Sequence, residues 1–353
     1  MKTERITLRE LDDPKPVLLR AARLLAEGGI VAIPTETVYG LACNGEHLEA
    51  LRRLMEVKRR PPEKKFSIHL GDPADAARHV DDLGTVGRRL ADRCWPGPLT
   101  LLVEGRDGDV VGLRVPSNEH TCFVLHNCDA PVVAPSANIS GDPPAVDAEA
   151  VMDAFDGEIE MVLDDGPTPF GKSSTVVRLV DEGYEIVREG ALTRQQVAWA
   201  ANKIVLFVCT GNTCRSPMAE AICRRLVADR LGVRPVELEK HGYTVASAGL
   251  FAAFAQSAAA QAVQVVREHG GDLSAHLTQR VTPKMLADAD VVFAMTRGQL
   301  ESLKQMAGPG AAGKIRLLSP EGDVPDPVGG DLECYRQCAA QIENALKERM
   351  SQL

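Results

Sequence analysis

The most constraining feature of this sequence is a short loop between an apolar strand and a helix. Residues 204–208 form an apolar run typical of a buried strand, a loop opens at Cys209, and helical spacing begins at Ser216. Such a turn points successive backbone N–H groups at one spot, and the helix N-terminus adds partial positive charge. The loop therefore predicts an oxyanion site, with Ser216 as the helix cap and Pro217 at the first helical position.

Three residues in and beyond this loop have the chemistry needed for phosphoryl transfer. The positive field favours the thiolate of Cys209, which is a nucleophile at neutral pH. Arg215 can hold a phosphate through two hydrogen bonds. Asp326, kept out of helix by Pro327, can protonate a leaving group. A domain that binds phosphate without catalysis is the alternative, but the joint presence of the three residues favours an enzyme.

Residues 203–350 resemble the low-molecular-weight protein tyrosine phosphatases. The resemblance rests on residues 208–217, 247–249, 294–296 and 325–327. It implies a covalent phosphocysteine on Cys209, stabilised by Arg215, with Asp326 as acid and base. It further implies that Asn212 shapes the loop and that Ser216 hydrogen-bonds the thiolate.

Two departures leave the phosphatase substrate open. Val328, Gly329 and Gly330 stand where tyrosine phosphatases carry aromatic residues, and Thr213 stands where they tend to carry a larger aliphatic residue. Both features are similar to the bacterial protein-arginine phosphatase branch, so phosphoarginine and phosphotyrosine both remain candidates. The related arsenate reductases need further cysteines between the loop and the acid. This sequence has none between Cys223 and Cys334, which counts against reduction.

The nine cysteines do not form a disulfide framework, because their number is odd and their spacing irregular. Under oxidation Cys214 could form a protective disulfide with Cys209. Cys334 and Cys338 lie four residues apart without histidine ligands nearby, so we interpret them as small core residues and expect no metal site.

Length and pattern together predict two domains. A chain of 353 residues with 44% hydrophobic residues can bury two cores. From residue 203 onward strands alternate with helices, which indicates a doubly wound parallel sheet. We place the boundary near residues 198–203 and expect domains 1–200 and 201–353.

Charge and apolar runs limit the location and partners of the chain. The net charge of −9 argues against non-specific coating of nucleic acid. The N-terminal residues lack the apolar stretch of a signal peptide, and no run approaches the roughly 20 apolar residues of a membrane span. We therefore expect a cytoplasmic protein that does not engage membranes.

Four segments of the first domain carry its polar chemistry: residues 34–40, 58–69, 95–100 and 134–141. They place hydroxyls and an amide in loops rich in Pro and Gly, while Lys58 and Arg60 supply charges suited to a triphosphate. These residues alone predict an anion- or nucleotide-binding pocket. Residues 166–173 match a Walker-type loop in letters, but they run into a β-branched strand instead of a helix, so we reject that assignment.

Residues 15–192 are similar to the YrdC-like family of L-threonylcarbamoyladenylate synthases, in the order and spacing of these four segments. The resemblance implies a twisted α/β sheet with a basic cavity. It implies that L-threonine, bicarbonate and ATP, with Mg²⁺ as the expected cofactor, give threonylcarbamoyl-AMP and pyrophosphate. This product then serves the formation of N6-threonylcarbamoyladenosine in tRNA. Carried over by position, the threonine contacts are Thr37, His69, Arg114, Ala134 and Ser174; the ATP contacts are Arg60, Lys64, Val110, Ser136 and Arg188; the family signature is Lys58, Arg60, Ser136 and Asn138.

The whole chain is therefore expected to be a bifunctional enzyme, with a phosphorylated protein as the second substrate and tRNA or tRNA-modification proteins as further partners. The alternative for the first domain is a module that binds RNA, including double-stranded RNA, without ATP turnover. Salt-dependent tRNA binding would favour that alternative.

Overall fold

The computed structural model of the protein describes residues 2–59, 66–181, 183–350 and 353, with only the backbone described at Pro309. The chain divides into two compact units, Met1–Ala200 and Ala201–Leu353. None of the helices in these described ranges is long and apolar enough to cross a membrane.

The first unit is built on one mixed sheet. Its strands are β1 (Glu4–Thr7), β2 (Val31–Ile33), β3 (Gly40–Asn44), β4 (Ser67–His69), β5 (Leu99–Glu104), β6 (Val110–Arg114), β7 (Val132–Val133), β8 (Met161–Asp164), β9 (Thr175–Val180) and β10 (Gly183–Arg188). Its helices are α1 (Lys15–Ala26), α2 (Leu48–Val57), α3 (Gly84–Cys94), α4 (Glu119–His126), α5 (Ala148–Phe155) and α6 (Arg194–Ala201), with 3-10 turns at Leu8–Glu10 and Pro73–Arg78.

The strand order of this sheet is β1-β8-β2-β3-β7-β4-β6-β5-β9-β10. Alternating residues of its strands pack on opposite faces, as the period of two requires. Ile33 and Leu163 join the cluster with α1 and α4, whereas Ala32 and Val162 join the cluster with α2 and α5. The result is the twisted α/β sheet that the sequence predicted, with the expected antiparallel pair formed by β9 and β10.

The second unit is a parallel sheet with the order β12-β11-β13-β14. Its strands are β11 (Lys203–Cys209), β12 (Tyr243–Gly249), β13 (Val291–Ala294) and β14 (Ile315–Leu317). Its helices are α7 (Arg215–Leu231), α8 (Ala260–Glu268), α9 (Pro283–Asp288), α10 (Arg297–Ala312, with a non-helical Gly308) and α11 (Leu332–Arg349), with a 3-10 turn at Pro235–His241.

Strand β11, which ends at Cys209, lies inside this sheet, between β12 and β13. Its residues Val205 and Phe207 pack with α7, α8 and α11, and its intervening residues are buried as well. This arrangement confirms the predicted doubly wound parallel sheet. Helix α8 starts only at Ala260, because the Ala255 N–H donates to the Thr278 carbonyl oxygen (3.0 Å) and Ser257 pairs with Leu277.

Candidate functional sites

The loop between β11 and α7 is shaped by Asn212. Its φ of 58° lies in the left-handed region, which asparagine tolerates better than most residues. This turn brings the Asn212 N–H to within 3.2 Å of the Cys209 Sγ. The loop thus returns one of its own backbone donors to the sulfur.

Ser216 contacts the nucleophile instead of capping the helix. The helix begins at Arg215 with Cys214 as N-cap residue, so the expectation that Ser216 caps it and that Pro217 is its first residue was wrong. The Ser216 Oγ lies 3.0 Å from the Cys209 Sγ and 3.1 Å from the Ala248 carbonyl oxygen. A hydroxyl has one proton, so Ser216 can donate to Ala248 while Cys209 is a thiol and to the sulfur once it is a thiolate.

A buried polar network holds Asn212 in place. Its side-chain amide donates to Ser216 Oγ (3.0 Å) and to Ser247 Oγ (2.9 Å), and its Oδ1 accepts from the Gln279 N–H (2.9 Å). Ser247 in turn donates to Glu220 Oε2 (2.7 Å), and burial raises the pKa of that carboxyl group. The sequence analysis missed Glu220 and Gln279, since neither lies in a recognisable motif.

Arg215 connects the loop to the predicted acid. Its buried guanidinium pairs with Asp326, whose side chain is 44% exposed, and also donates to the Val324 carbonyl oxygen (3.2 Å). Both residues line one open cleft, and Phe251, which is 74% exposed, lies on the wall of that cleft. The sequence analysis did not identify this aromatic side chain, which comes from the loop after β12.

The other cysteines of this unit have different surroundings. Cys214 Sγ lies 3.2 Å from the buried Tyr335 hydroxyl and 3.5 Å from Thr213 Oγ1. Cys338 is buried, as expected, but Cys334 is exposed, so the interpretation of Cys334 as a core residue was wrong. The described parts of the chain contain no group of three or more His, Cys, Asp or Glu that could hold a metal.

The first unit contains a cavity of about 160 Å³ at the ends of its central strands. Six of the predicted site residues line it: His69, Arg114, Ala134, Ser136, Ser174 and Arg188. Val110 lines a different, neighbouring cavity, which shares His69 with the first. The predicted ATP contacts Arg60 and Lys64 lie outside the described residues.

Strand register brings the histidine and one arginine together. β4 and β6 are parallel, and His69 is the direct partner of Arg114. Burial, and secondarily the charge of Arg114, lower the pKa of His69 to about 3. His69 is therefore neutral at physiological pH, and its Nδ1 lies 3.3 Å from the Ser67 carbonyl oxygen, which favours a proton on Nδ1.

Arg114 is held by two side chains from the turn between β2 and β3. Its Nη2 donates to Glu36 Oε1 and to Thr37 Oγ1, each at 2.7 Å. Thr37 is fully buried and also lies 2.8 Å from the Thr35 hydroxyl. Thr37 was predicted and reaches the cavity through Arg114. Glu36 was not predicted, although it belongs to the segment 34–40, because a carboxylate in a turn gives no sign that it will be buried.

Ser174 and Arg188 form another part of the cavity wall. Ser174 Oγ lies 2.9 Å from the Thr100 hydroxyl, and Arg188 Nη2 donates to the Ser174 carbonyl oxygen (2.8 Å). Partial burial and the charge of Arg114 lower the pKa of Arg188. Thr100, which the analysis placed only in a motif segment, is thus a direct neighbour of a predicted threonine contact.

Lys58 binds the loop that follows β7. It is only 2% exposed, and its Nζ donates to the Ser136 carbonyl oxygen and to the Asn138 carbonyl oxygen (2.7 Å). The Ser140 N–H donates back to the Lys58 carbonyl oxygen (2.8 Å), and Ser136 Oγ donates to Asn138 Oδ1 (2.5 Å). The signature residues Lys58, Ser136 and Asn138 are therefore one hydrogen-bonded group, and Lys58 is not part of a solvated helix end.

Two protein-family models match this chain, one in each of the two units. Residues 23–190 match the model of the Sua5/YciO/YrdC family, described as "Telomere recombination", and residues 204–353 match "Low molecular weight phosphotyrosine protein phosphatase". The threonylcarbamoyl-AMP synthase of Bacillus subtilis (strain 168) is 33% identical over 198 residues, and that of Pyrococcus abyssi is 35% identical over 186 residues.

These two alignments cover 53% and 50% of this chain and 57% and 55% of the relatives. The chain therefore spans about half the length of the curated relatives it matches. Among solved structures, a variant of the P. abyssi Sua5 protein has a TM-score of 0.53 at 25% identity, covering 81% of this chain and 94% of that chain.

Proposed function

Because this chain joins a domain of the Sua5/YciO/YrdC family to a domain of the low-molecular-weight phosphotyrosine protein phosphatase family, we propose that it carries two enzyme activities. The first unit makes L-threonylcarbamoyl-AMP from L-threonine, bicarbonate and ATP. The observation that supports this activity most is the cavity in which a neutral His69, a paired Arg114 and the Ser174–Arg188 wall converge.

The proposed contact residues of the first unit divide between two substrates. Threonine contacts Thr37, His69, Arg114, Ala134 and Ser174, and ATP contacts Arg60, Lys64, Val110, Ser136 and Arg188. Bicarbonate loses hydroxide to give carbon dioxide, and the amine of threonine forms a C–N bond to its carbon. The amine proton combines with the hydroxide to give water, and the resulting carbamate oxygen attacks the α-phosphorus. That step forms a P–O bond to the carbamate and breaks the P–O bond to pyrophosphate, while Arg188 helps to stabilise the developing negative charge.

Mg²⁺ would arrive bound to the phosphates of ATP. The described residues that line the cavity carry hydroxyls, an imidazole and guanidinium groups but no carboxylate, so they do not form a protein site for this ion. The product would serve tRNA modification in the cytoplasm, with tRNA or tRNA-modification proteins as partners.

The experiment that tests the synthase is pyrophosphate release by the purified full-length chain. We expect release from ATP only when L-threonine and bicarbonate are both present, because the carbamate is the nucleophile. Release that ignores threonine would contradict the synthase. No release, together with salt-dependent binding of tRNA or double-stranded RNA, would identify the first unit as an RNA-binding module.

The second unit acts as a phosphatase through a covalent intermediate. The thiolate of Cys209 attacks phosphorus, so an S–P bond forms while the bond to the leaving group breaks, and Asp326 gives that group its proton. Asp326 then takes a proton from the water that cleaves the S–P bond and releases phosphate. Arg215, which pairs with Asp326, can hold phosphate oxygens with the same guanidinium.

The presence of Thr213 in the loop favours phosphoarginine as the phosphorylated group on the protein substrate. The exposed side chain of Phe251 favours phosphotyrosine as the second candidate. We expect the wild-type chain to prefer a phosphoarginine peptide over a phosphotyrosine peptide in kcat/KM. Thr213→Ile should reduce that preference about tenfold, because a larger aliphatic side chain favours an aromatic ring over a polar guanidinium. An unchanged ratio in the variant would exclude Thr213 as the selecting residue.

A further inference from the structure

Glu36 lies beside the synthase cavity, but it is not one of the residues proposed to contact threonine or ATP. We propose that Glu36 is a positioning residue: it fixes the guanidinium of Arg114 and cancels its charge, so that Arg114 N–H groups outside these contacts are presented to a threonine oxygen. This inference rests on the proposed synthase function and assigns a role to a residue outside its substrate contacts.

Both carboxylate oxygens of Glu36 accept a hydrogen bond. One carboxylate oxygen accepts from Arg114 Nη2 (2.7 Å) and the other from the Ser117 N–H (2.8 Å). The two paired side chains are only 6% (Arg114) and 7% (Glu36) exposed. Glu36 thus has a partner on both oxygens, which makes it a support for Arg114 and not a ligand group itself.

Arg114 keeps donors in reserve, because its bonds to Glu36 and Thr37 both come from Nη2. Its Nε is buried and has no hydrogen-bond partner among the described residues. An unpaired buried donor costs free energy, and such groups in proteins usually meet a ligand or water. Because Arg114 lines the cavity, an oxygen of the bound amino acid is the acceptor that this N–H fits.

Charge explains why a carboxylate is needed behind Arg114. The cavity holds a second guanidinium, that of Arg188, which forms no ion pair with a carboxylate in the described parts of the chain and whose pKa is lowered partly by Arg114. His69 is neutral and adds no charge. Without Glu36, two like charges would face each other across a partly buried cavity, and Arg114 would move away from its position.

The test is Glu36→Gln in the full-length chain, which keeps the shape of the side chain and removes its charge. We expect KM for L-threonine to rise about tenfold, with kcat within about threefold and KM for ATP unchanged, since only threonine binding depends on the aim of Arg114. Calorimetric titration of L-threonine without ATP should show the same loss of affinity.

Glu160→Gln is the matched control. Glu160 has the same pair of contacts in the same unit, accepting from the Ile30 N–H (2.7 Å) and from Arg53 Nη2 (2.9 Å), but it does not line the cavity. Both variants should lose some thermal stability, whereas only Glu36→Gln should raise KM for threonine. Equal kinetics in the two variants would overturn the proposal and leave Glu36 a purely structural residue.

A third variant covers the case in which Glu36→Gln does not fold. Glu36→Asp keeps the charge but shortens the reach, so we expect a rise in threonine KM of about threefold; no rise would count against the proposal. Failure of the synthase assignment has a different signature, because the wild-type chain would then neither bind L-threonine nor release pyrophosphate in response to it.

Discussion

Replacing Cys209 with serine is expected to lower phosphatase turnover on an aryl phosphate by roughly four orders of magnitude or more, while pyrophosphate release by the first unit stays unchanged. Serine keeps the size of the side chain, but its hydroxyl is not ionised at neutral pH even beside the Asn212 N–H and Ser216 Oγ that surround the sulfur. Both activities would be measured on one preparation of the full-length variant.

Cys223→Ala is the control for this prediction. Cys223 lies on the same helix as Arg215, but it is fully buried, and burial raises the pKa of its thiol to about 12. Its replacement should leave phosphatase turnover within a few-fold of wild type. If Cys209→Ser also abolished pyrophosphate release, the two activities would be coupled and the two sites would not be independent.

Replacing Lys58 with alanine is expected to have the converse effect: a loss of about 100-fold or more in pyrophosphate release with phosphatase turnover unchanged. Lys58 holds the carbonyl groups of Ser136 and Asn138, so its removal frees the loop that presents these side chains and leaves a buried space behind it. A displacement of about 1 Å in a positioning group can cost two orders of magnitude in rate.

Arg52→Ala separates this effect from a general loss of positive charge. Arg52 lies on α2, the helix that ends just before Lys58. It forms exposed ion pairs with Glu49 and Glu56. Exposed pairs contribute little to stability, so both activities should stay near the wild-type level. A Lys58→Ala variant that retained full pyrophosphate release would show that the loop keeps its conformation without the lysine.

The sequence predicted the second unit well because its pattern is local. The apolar run of β11, the loop from Cys209 and the strand–helix alternation each follow from neighbours along the chain. The position of Ser216 could not be predicted in this way. Its contact with Cys209 Sγ and Ala248 depends on β12, which pairs with β11 from more than 30 residues away.

The first unit was harder to predict, because its sheet depends on distant pairings. Strand β1 was not predicted. It pairs with the distant strand β8, where Arg5 is the direct partner of Val162. Arg114 was identified as a site residue, but its partner Glu36 lies 78 positions earlier, and only the folded sheet brings the two together. Motif spacing therefore found residues that line the cavity and missed Glu36, which holds one of them.

The contact between Cys214 and Tyr335 has a consequence for how the chain matures during translation. The two residues are 121 positions apart, and Tyr335 belongs to the last helix, α11. A growing chain exposes its nucleophile loop long before that helix leaves the ribosome, whereas every strand of the first unit has been synthesised by then. During synthesis, the first unit can thus fold while the loop of the second unit still lacks its contact with α11.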